Sequence, residues 1–248
     1  MKRVIIFVVL TTAATWAPVF WLMFGGGLDD PVLVQAVFSV CMLIPAMMTI
    51  LTRLITKEGF RDIKLRPHFK GNGKIYLAAW FGPAFLTSLG AALYFLIFPR
   101  QFDPSMNAMA RQLTKQLASR LATPSRMGGL NALDIHTVIF IQIITAVLAG
   151  PVLNFIFALG EELGWRGYLL PHLRGTYSVQ GSILISGVIW GVWHAPMIAM
   201  GHNYGTNYAA YPWGGILAMI IFCIFVGSFF SWLTLKTGSA VPAALAHG

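Results

Sequence analysis

Acidic residues are scarce in this chain: eight Asp and Glu stand against seventeen Lys and Arg, and charged residues make up only 10% of its 248 positions. So little charge cannot cover a soluble domain of this size, and with 57% hydrophobic residues and a mean hydropathy of +0.71 the composition is that of a membrane protein. Cysteine is nearly absent. Cys41 and Cys223 both fall inside apolar runs, which excludes a disulfide framework and a cysteine-based zinc site and reads as two packed thiols. No internal repeat, low-complexity tract or polar linker divides the chain, which excludes a solenoid or a string of modules and points to a single membrane-embedded domain over 1–248. A small-residue cleavage site is also missing after the opening Met1-Lys2-Arg3. The apolar run continues to Phe24, so the first segment reads as a retained helix and not as a signal peptide.

What the chain does have is hydrophobic length. Crossing a hydrocarbon core takes about 20 mostly apolar residues. Six stretches reach that length: Val4 to Phe24, Val32 to Leu51, Ile75 to Phe98, Val138 to Ala158, Gly181 to Met200 and Gly214 to Leu235. A further apolar piece, Ser239 to Ala246, is too short to span and stops at Gly248. The expected architecture is therefore all-α, a polytopic bundle of six full spans plus a truncated C-terminal seventh, and the sequence reads as a fragment of a longer protein. Small-residue spacings at Gly160/Gly164 and Gly187/Gly191 predict close helix packing.

The net charge of +9 is a matter of topology and not of nucleic-acid binding, because the basic residues gather in loops without interleaved aromatics. The loop from Arg53 to Lys74 holds seven of them, whereas the link after the first span holds only Asp29 and Asp30. The positive-inside rule then places the N-terminus in the cytoplasm. One connection disagrees: Arg100, Arg111, Lys115, Arg120 and Arg126 fall in a loop that parity puts outside. Met106, Met109, Leu113, Leu117 and Leu121 form a helical stripe there, which reads either as an amphipathic helix lying on the bilayer or as a stripe packed over the other helices.

Beyond Asp134 the only acidic residues are Glu161 and Glu162, in Glu161-Glu162-Leu163-Gly164-Trp165-Arg166, flanked by Phe155 to Leu159 and by Tyr168 to Leu170. Ionisable groups at membrane depth cost roughly 2.5–3.5 kcal/mol each on insertion scales, so they usually line a polar cavity and serve function. Solvated charges at a helix end are the bland alternative. On a helix, Glu162 and Arg166, four apart, share a face and pair, while Glu161 projects elsewhere and is left free to act as a base. A second element is Trp190-Gly191-Val192-Trp193-His194-Ala195-Pro196, with a histidine inside an apolar stretch. Taken alone, His194 reads as a structural histidine bonded to a carbonyl. The third is His247. Together a carboxylate and an imidazole can deprotonate water while a second imidazole stabilises an oxyanion. His68, His136, His172 and His202 sit in loops or at span ends, and His172 is expected to be interfacial or capping. Two histidines and a glutamate can also hold zinc, but the His-Glu-x-x-His helix is absent, so the reading adopted is metal-independent and without cofactor.

On these residues the chain resembles the CAAX protease and bacteriocin-processing family (CPBP, or ABI) of intramembrane glutamic endopeptidases. The motif Glu-Glu-x-x-x-Arg is met by Glu161, Glu162 and Arg166, followed by Gly167-Tyr168-Leu169-Leu170; Phe-x-x-x-His is met by Trp190 and His194; and His247 follows a small, Pro-containing segment from Val241. The family places Asn or a small residue four after the last histidine, a position beyond Gly248. The resemblance covers mainly Phe155 to Gly248, so a catalytic core over 138–248 follows a variable N-terminal part over 1–130. It implies Glu161 as the general base with His194 assisting, His247 as an oxyanion stabiliser, and Glu162, Arg166 and Trp190 in structural or supporting roles. It also implies a membrane peptide or protein as substrate, the lipid bilayer as partner and a prokaryotic cell membrane as location. Family members cut prenylated CAAX tails or take part in peptide maturation and bacteriocin self-immunity. Two readings of another class stand beside it: a non-catalytic immunity or scaffolding protein of the same fold, and a proton-coupled transporter, for which paired broken helices or repeats would be needed.

Overall fold

A computed structural model describes residues 1–107, 109–111 and 135–248, and among these the secondary structure is entirely helical. Four helices are long and apolar enough to cross a membrane by length and composition: α1 (Lys2–Phe24), α2 (Pro31–Thr56), α3 (Gly73–Ile97) and a later one, Trp213–Thr237. The protein is an integral membrane helical protein. Between α3 and that last long helix the described chain forms α4 (Ile135–Leu148), α5 (Gly150–Leu153), α6 (Phe155–Gly164), a π-helical turn (Trp165–Leu169), α7 (Leu170–Arg174), α8 (Val179–Trp193) and α9 (Ala195–Ala199). The long helix Trp213–Thr237 is α10, and α11 (Val241–His247) closes the chain. Of the basic segment expected to form an amphipathic stripe, Leu113, Lys115, Leu117, Arg120, Leu121 and Arg126 lie outside the described residues.

The boundaries follow from local chemistry. Asp30 caps α2, its carboxylate accepting from the Val32 and Leu33 amides at 2.9 and 3.1 Å, with Pro31 in the first turn where no donor is missed. Ser178 caps α8 through the Gly181 amide at 3.1 Å. The stretches expected as spans four and five are not continuous helices. The first is parted at Ala149 and Asn154 around Pro151, and the second ends at His194, two residues before Pro196. Proline lacks the N–H that would tie it to the preceding turn, and it clashes with the carbonyl there.

The described residues divide into two compact units. One, Met1–Trp80 with Pro151–Gly248, holds every candidate site residue. Within it α6 lies on α2 and α8 lies on α10, as the paired glycines predict. A Cβ at Gly160 would fall 2.6 Å from the Met42 carbonyl oxygen, and one at Gly191 would fall 2.5 Å from the Ile220 Cα, so both positions admit hydrogen only. The core of this unit includes Phe7, Cys41, Trp165, Tyr168, Trp193, Cys223 and Leu233, and the two cysteines are free and buried, as their apolar setting implied. The other unit, Phe81–Gly150, consists of most of α3, a 3-10 turn at Pro99–Gln101 and α4, and it exposes Phe85, Leu89, Leu93, Phe140 and Ile143. Large exposed apolar side chains on a membrane-length helix such as α3 are suited to face lipid.

Candidate active site

The two glutamates end α6, and neither is solvated: Glu161 is 3% exposed and Glu162 fully buried. Four residues on, the same turn supplies each with a donor. Arg166 Nη1 donates to Glu162 Oε1 at 2.8 Å, and Trp165 Nε1 donates to Glu161 Oε2 at 3.2 Å. The Glu162–Arg166 pair predicted from spacing is present. Glu161, by contrast, is not left without partners as its spacing suggested, since Trp190 Nε1 on α8 also donates to Oε2, at 2.8 Å. Both donors on Glu161 are neutral indoles.

Glu162 gathers the charge. Besides Arg166 it faces His247 on α11, whose Nδ1 lies 2.9 Å from Glu162 Oε1. The Arg166 guanidinium lies 4.1 Å over the Trp190 ring and 5.2 Å from the Phe230 ring centre on α10, two cation–π contacts that suit a buried planar cation. Space for it comes from Gly227, where a Cβ would stand 2.7 Å from Arg166 Nη2. The His247 ring stacks on Phe230 with centroids 5.4 Å apart and meets the edge of Trp190 at 5.5 Å. Asn154 donates to the Gly248 carbonyl at 2.9 Å and so ties the end of α11 to the start of α6. Two buried atoms in this cluster, Glu162 Oε2 and Arg166 Nε, have no hydrogen-bond partner among the described residues.

His194 stands at the break between α8 and α9, and its Nδ1 lies 2.8 Å from the Trp190 carbonyl oxygen. A carbonyl can only accept, so Nδ1 carries the proton and the neutral ring keeps its lone pair on Nε2. Trp190 thus touches both halves of the site: its indole donates to Glu161 and its backbone carbonyl orients His194. Sequence reading saw Trp190 only as an aromatic and did not anticipate either bond.

Other contributions were missed because they come from far along the chain. In α1, Thr15 accepts from Trp193 Nε1 at 2.9 Å and Trp16 Nε1 donates to the Trp193 carbonyl at 3.0 Å, so the first helix braces the end of α8 beside His194. Behind the π-helical turn, Tyr168 Oη donates to Glu58 Oε1 at 2.5 Å and His172 Nε2 lies 2.9 Å from Glu58 Oε2. His172 also bonds the Tyr168 carbonyl, one turn back on the same helical run, through Nδ1 at 2.8 Å. Burial acts to raise the Glu58 pKa, but hydrogen bonds from Tyr168, Thr56 and His172 outweigh it and hold the carboxyl below its usual range. Two further histidines make other contacts: His68 Nδ1 bonds the Thr237 carbonyl, and His202 meets the Phe38 ring edge. Among the described residues no group of three or more His, Cys, Asp or Glu side chains is arranged to hold a metal ion.

Helical membrane architecture and a buried carboxylate–imidazole–guanidinium cluster define a polytopic membrane protein with a polar site enclosed by its helices. Residues 136–248 match the family model for type II CAAX prenyl endopeptidase, Rce1-like. A curated relative, CAAX prenyl protease 2 of Methanococcus maripaludis, is 31% identical over 86 residues, which are 34% of this chain and 31% of that protein. The resemblance to the CAAX protease family therefore holds for the C-terminal part of the chain, and the chain spans under a third of the curated relative it matches. No solved structure matches.

Proposed function

We propose that the protein is an intramembrane endopeptidase that hydrolyses a peptide bond of a membrane-associated peptide or protein through a water activated by Glu161 and His194, without a metal. The observation that carries this reading is the asymmetry of the glutamates. Glu162 is hydrogen-bonded directly to both Arg166 and His247, whereas among the described residues the hydrogen bonds to Glu161 come from the neutral N–H groups of Trp165 and Trp190. A buried carboxylate with no directly hydrogen-bonded cation is the better placed of the two to take a proton from water.

In the proposed reaction Glu161 takes a proton from water, and His194 accepts a hydrogen bond from the same water through the free Nε2 that its Trp190 contact leaves. The new C–O bond forms at the scissile carbonyl carbon, and its electron pair moves to the carbonyl oxygen. Collapse of that oxyanion breaks the C–N bond, and the leaving amine takes up the proton held by Glu161. His247, held through Nδ1 on Glu162, turns its other nitrogen to the oxyanion as a donor when protonated. Glu162, Arg166 and Trp190 keep these groups in register. The match to CAAX prenyl endopeptidases makes a C-terminal membrane-anchored tail the first substrate class to try. The basic loop between α2 and α3 supports an orientation with the N-terminus in the cytoplasm, and the family resemblance makes a prokaryotic cell membrane the proposed location.

The test is cleavage of a membrane-anchored peptide by purified protein in detergent. Glu161→Gln is expected to abolish cleavage while melting like the parent, and a variant that still cleaves would exclude Glu161 as the base. Activity lost on chelation together with stoichiometric zinc would overturn the metal-free assignment. A biological phenotype untouched by Glu161→Gln would favour the non-catalytic reading of the same fold.

A further inference from the structure

Arg166 also lines a cavity of about 270 Å³ that the proposed hydrolysis does not use. Its lining includes Lys64 from the α2–α3 loop, Arg166 and Arg174 from the π-helical turn and α7, and Thr234 and Leu235 from the last turn of α10. Leu170 adds apolar surface. No acidic residue lines it. Arg166 is 1% exposed, its Nε has no hydrogen-bond partner among the described residues, and the buried Thr234 hydroxyl has none either. Lys64 and Arg174 have no ion-pair partner among the described residues. Two cations without an ion pair among the described residues, Lys64 and Arg174, and two unsatisfied donors, Arg166 Nε and the Thr234 hydroxyl, on the residues lining one cavity suit an anion with several acceptor oxygens.

We propose that this cavity binds the phosphate of an anionic phospholipid headgroup. Position selects the lipid over free phosphate. The cavity opens at the end of α10, a helix of membrane length, where the chain leaves the span at Gly238, and Leu235 there is exposed beside the basic lining. A basic pocket between membrane helices at the interface is a headgroup site, with phosphate on the cations and glycerol and acyl carbons along the leucines. A second cavity of about 370 Å³ shares Lys64 and Gly238 and adds Arg61, Arg66 and His68. Its one carboxylate, Asp62, is held by Arg53 at 2.7 Å. The headgroup site is thereby continued by further basic side chains along the loop. Binding would fix the α2–α3 loop against α7 and α10, the elements that back the Arg166 side of the polar cluster.

The experiment uses the full chain reconstituted in phosphatidylcholine, with phosphatidylglycerol titrated in and thermal melting and co-purified lipid as readouts. Phosphatidylglycerol should raise the melting temperature and be retained through purification. Each basic side chain near an anionic lipid surface is worth roughly fivefold in binding, so Lys64→Gln/Arg174→Gln should weaken the response roughly 30-fold. Lys64→Arg/Arg174→Lys should retain it, which separates charge from fold. Glu161→Gln should respond like the parent, so failure here and failure of the proposed hydrolysis are read independently. An undiminished phosphatidylglycerol response in Lys64→Gln/Arg174→Gln, equal stabilisation by phosphatidylcholine, or equal stabilisation by inorganic phosphate would each overturn the proposal.

Discussion

Replacing Arg166 by leucine removes the one full cation from a cluster in which Glu162 is fully buried. Three terms set the size of the effect. Breaking a buried ion pair by deleting one partner costs about 3–5 kcal/mol, because the remaining charge is left uncompensated. The contacts of the guanidinium over Trp190 at 4.1 Å and near Phe230 at 5.2 Å add about 1–2 kcal/mol. Against these, leucine fills part of the space, and His247 at 2.9 Å still faces Glu162 as a counter-ion. The net expectation is a loss of about 3 kcal/mol, roughly a hundredfold in the folded-to-unfolded ratio. Reversible unfolding in mixed detergent micelles measures it. The companion Glu162→Gln/Arg166→Leu removes the stranded charge and keeps an acceptor for His247, so it should recover at least about 1 kcal/mol of that loss. A single variant within about 0.5 kcal/mol of the parent, the range of surface substitutions, would refute the account of Arg166 as the counter-ion of a buried carboxylate.

Gly164→Val should destabilise by about 1–3 kcal/mol or more and loosen α6 from α2, because even a Cβ there would stand 3.0 Å from the Pro45 Cα; an unchanged melting temperature would contradict the packing. Acid should weaken the fold through the α2–α3 loop. The hydrogen bond from Arg53 holds the Asp62 carboxyl below its ordinary range against the pull of burial, and Glu58 is lowered as well. A depressed carboxyl stabilises the fold above its unfolded value of about 4 and loses that contribution as pH falls through its lower folded value. Melting temperatures taken at descending pH should therefore drop below about pH 4 in the parent, and the drop should be shallower in Glu58→Gln/Asp62→Asn.

What could be read from the sequence was whatever depends on a few neighbouring residues. The Glu162–Arg166 bridge follows from a four-residue spacing, the close approach of α6 to α2 and of α8 to α10 from paired glycines, and the long helices from apolar length. The indole donors on Glu161 divide along the same line. Trp165 sits four residues away and was legible in principle, whereas Trp190 lies 29 residues on and reaches Glu161 only because α8 packs beside α6. Glu58 is separated from Tyr168 by 110 residues, and nothing local announces their bond. The interruption at Asn154 had a signal in Pro151, yet apolar length alone overrode it and suggested an unbroken span, whereas Pro196 marked in the sequence itself a possible break just beyond His194. The π-helical turn at Trp165–Leu169 has no composition of its own that would announce it in the sequence.

The bond between His247 and Glu162 also sets an order of events during synthesis. The two residues are 85 positions apart, so at about 5–20 residues per second the glutamate is made roughly 4–17 s before its histidine exists. Arg166 follows Glu162 within four residues and can neutralise it on the emerging helix long before α10 and α11 are complete. Arg166 is thus the partner available at birth, and the imidazole is the one that arrives later, with α11.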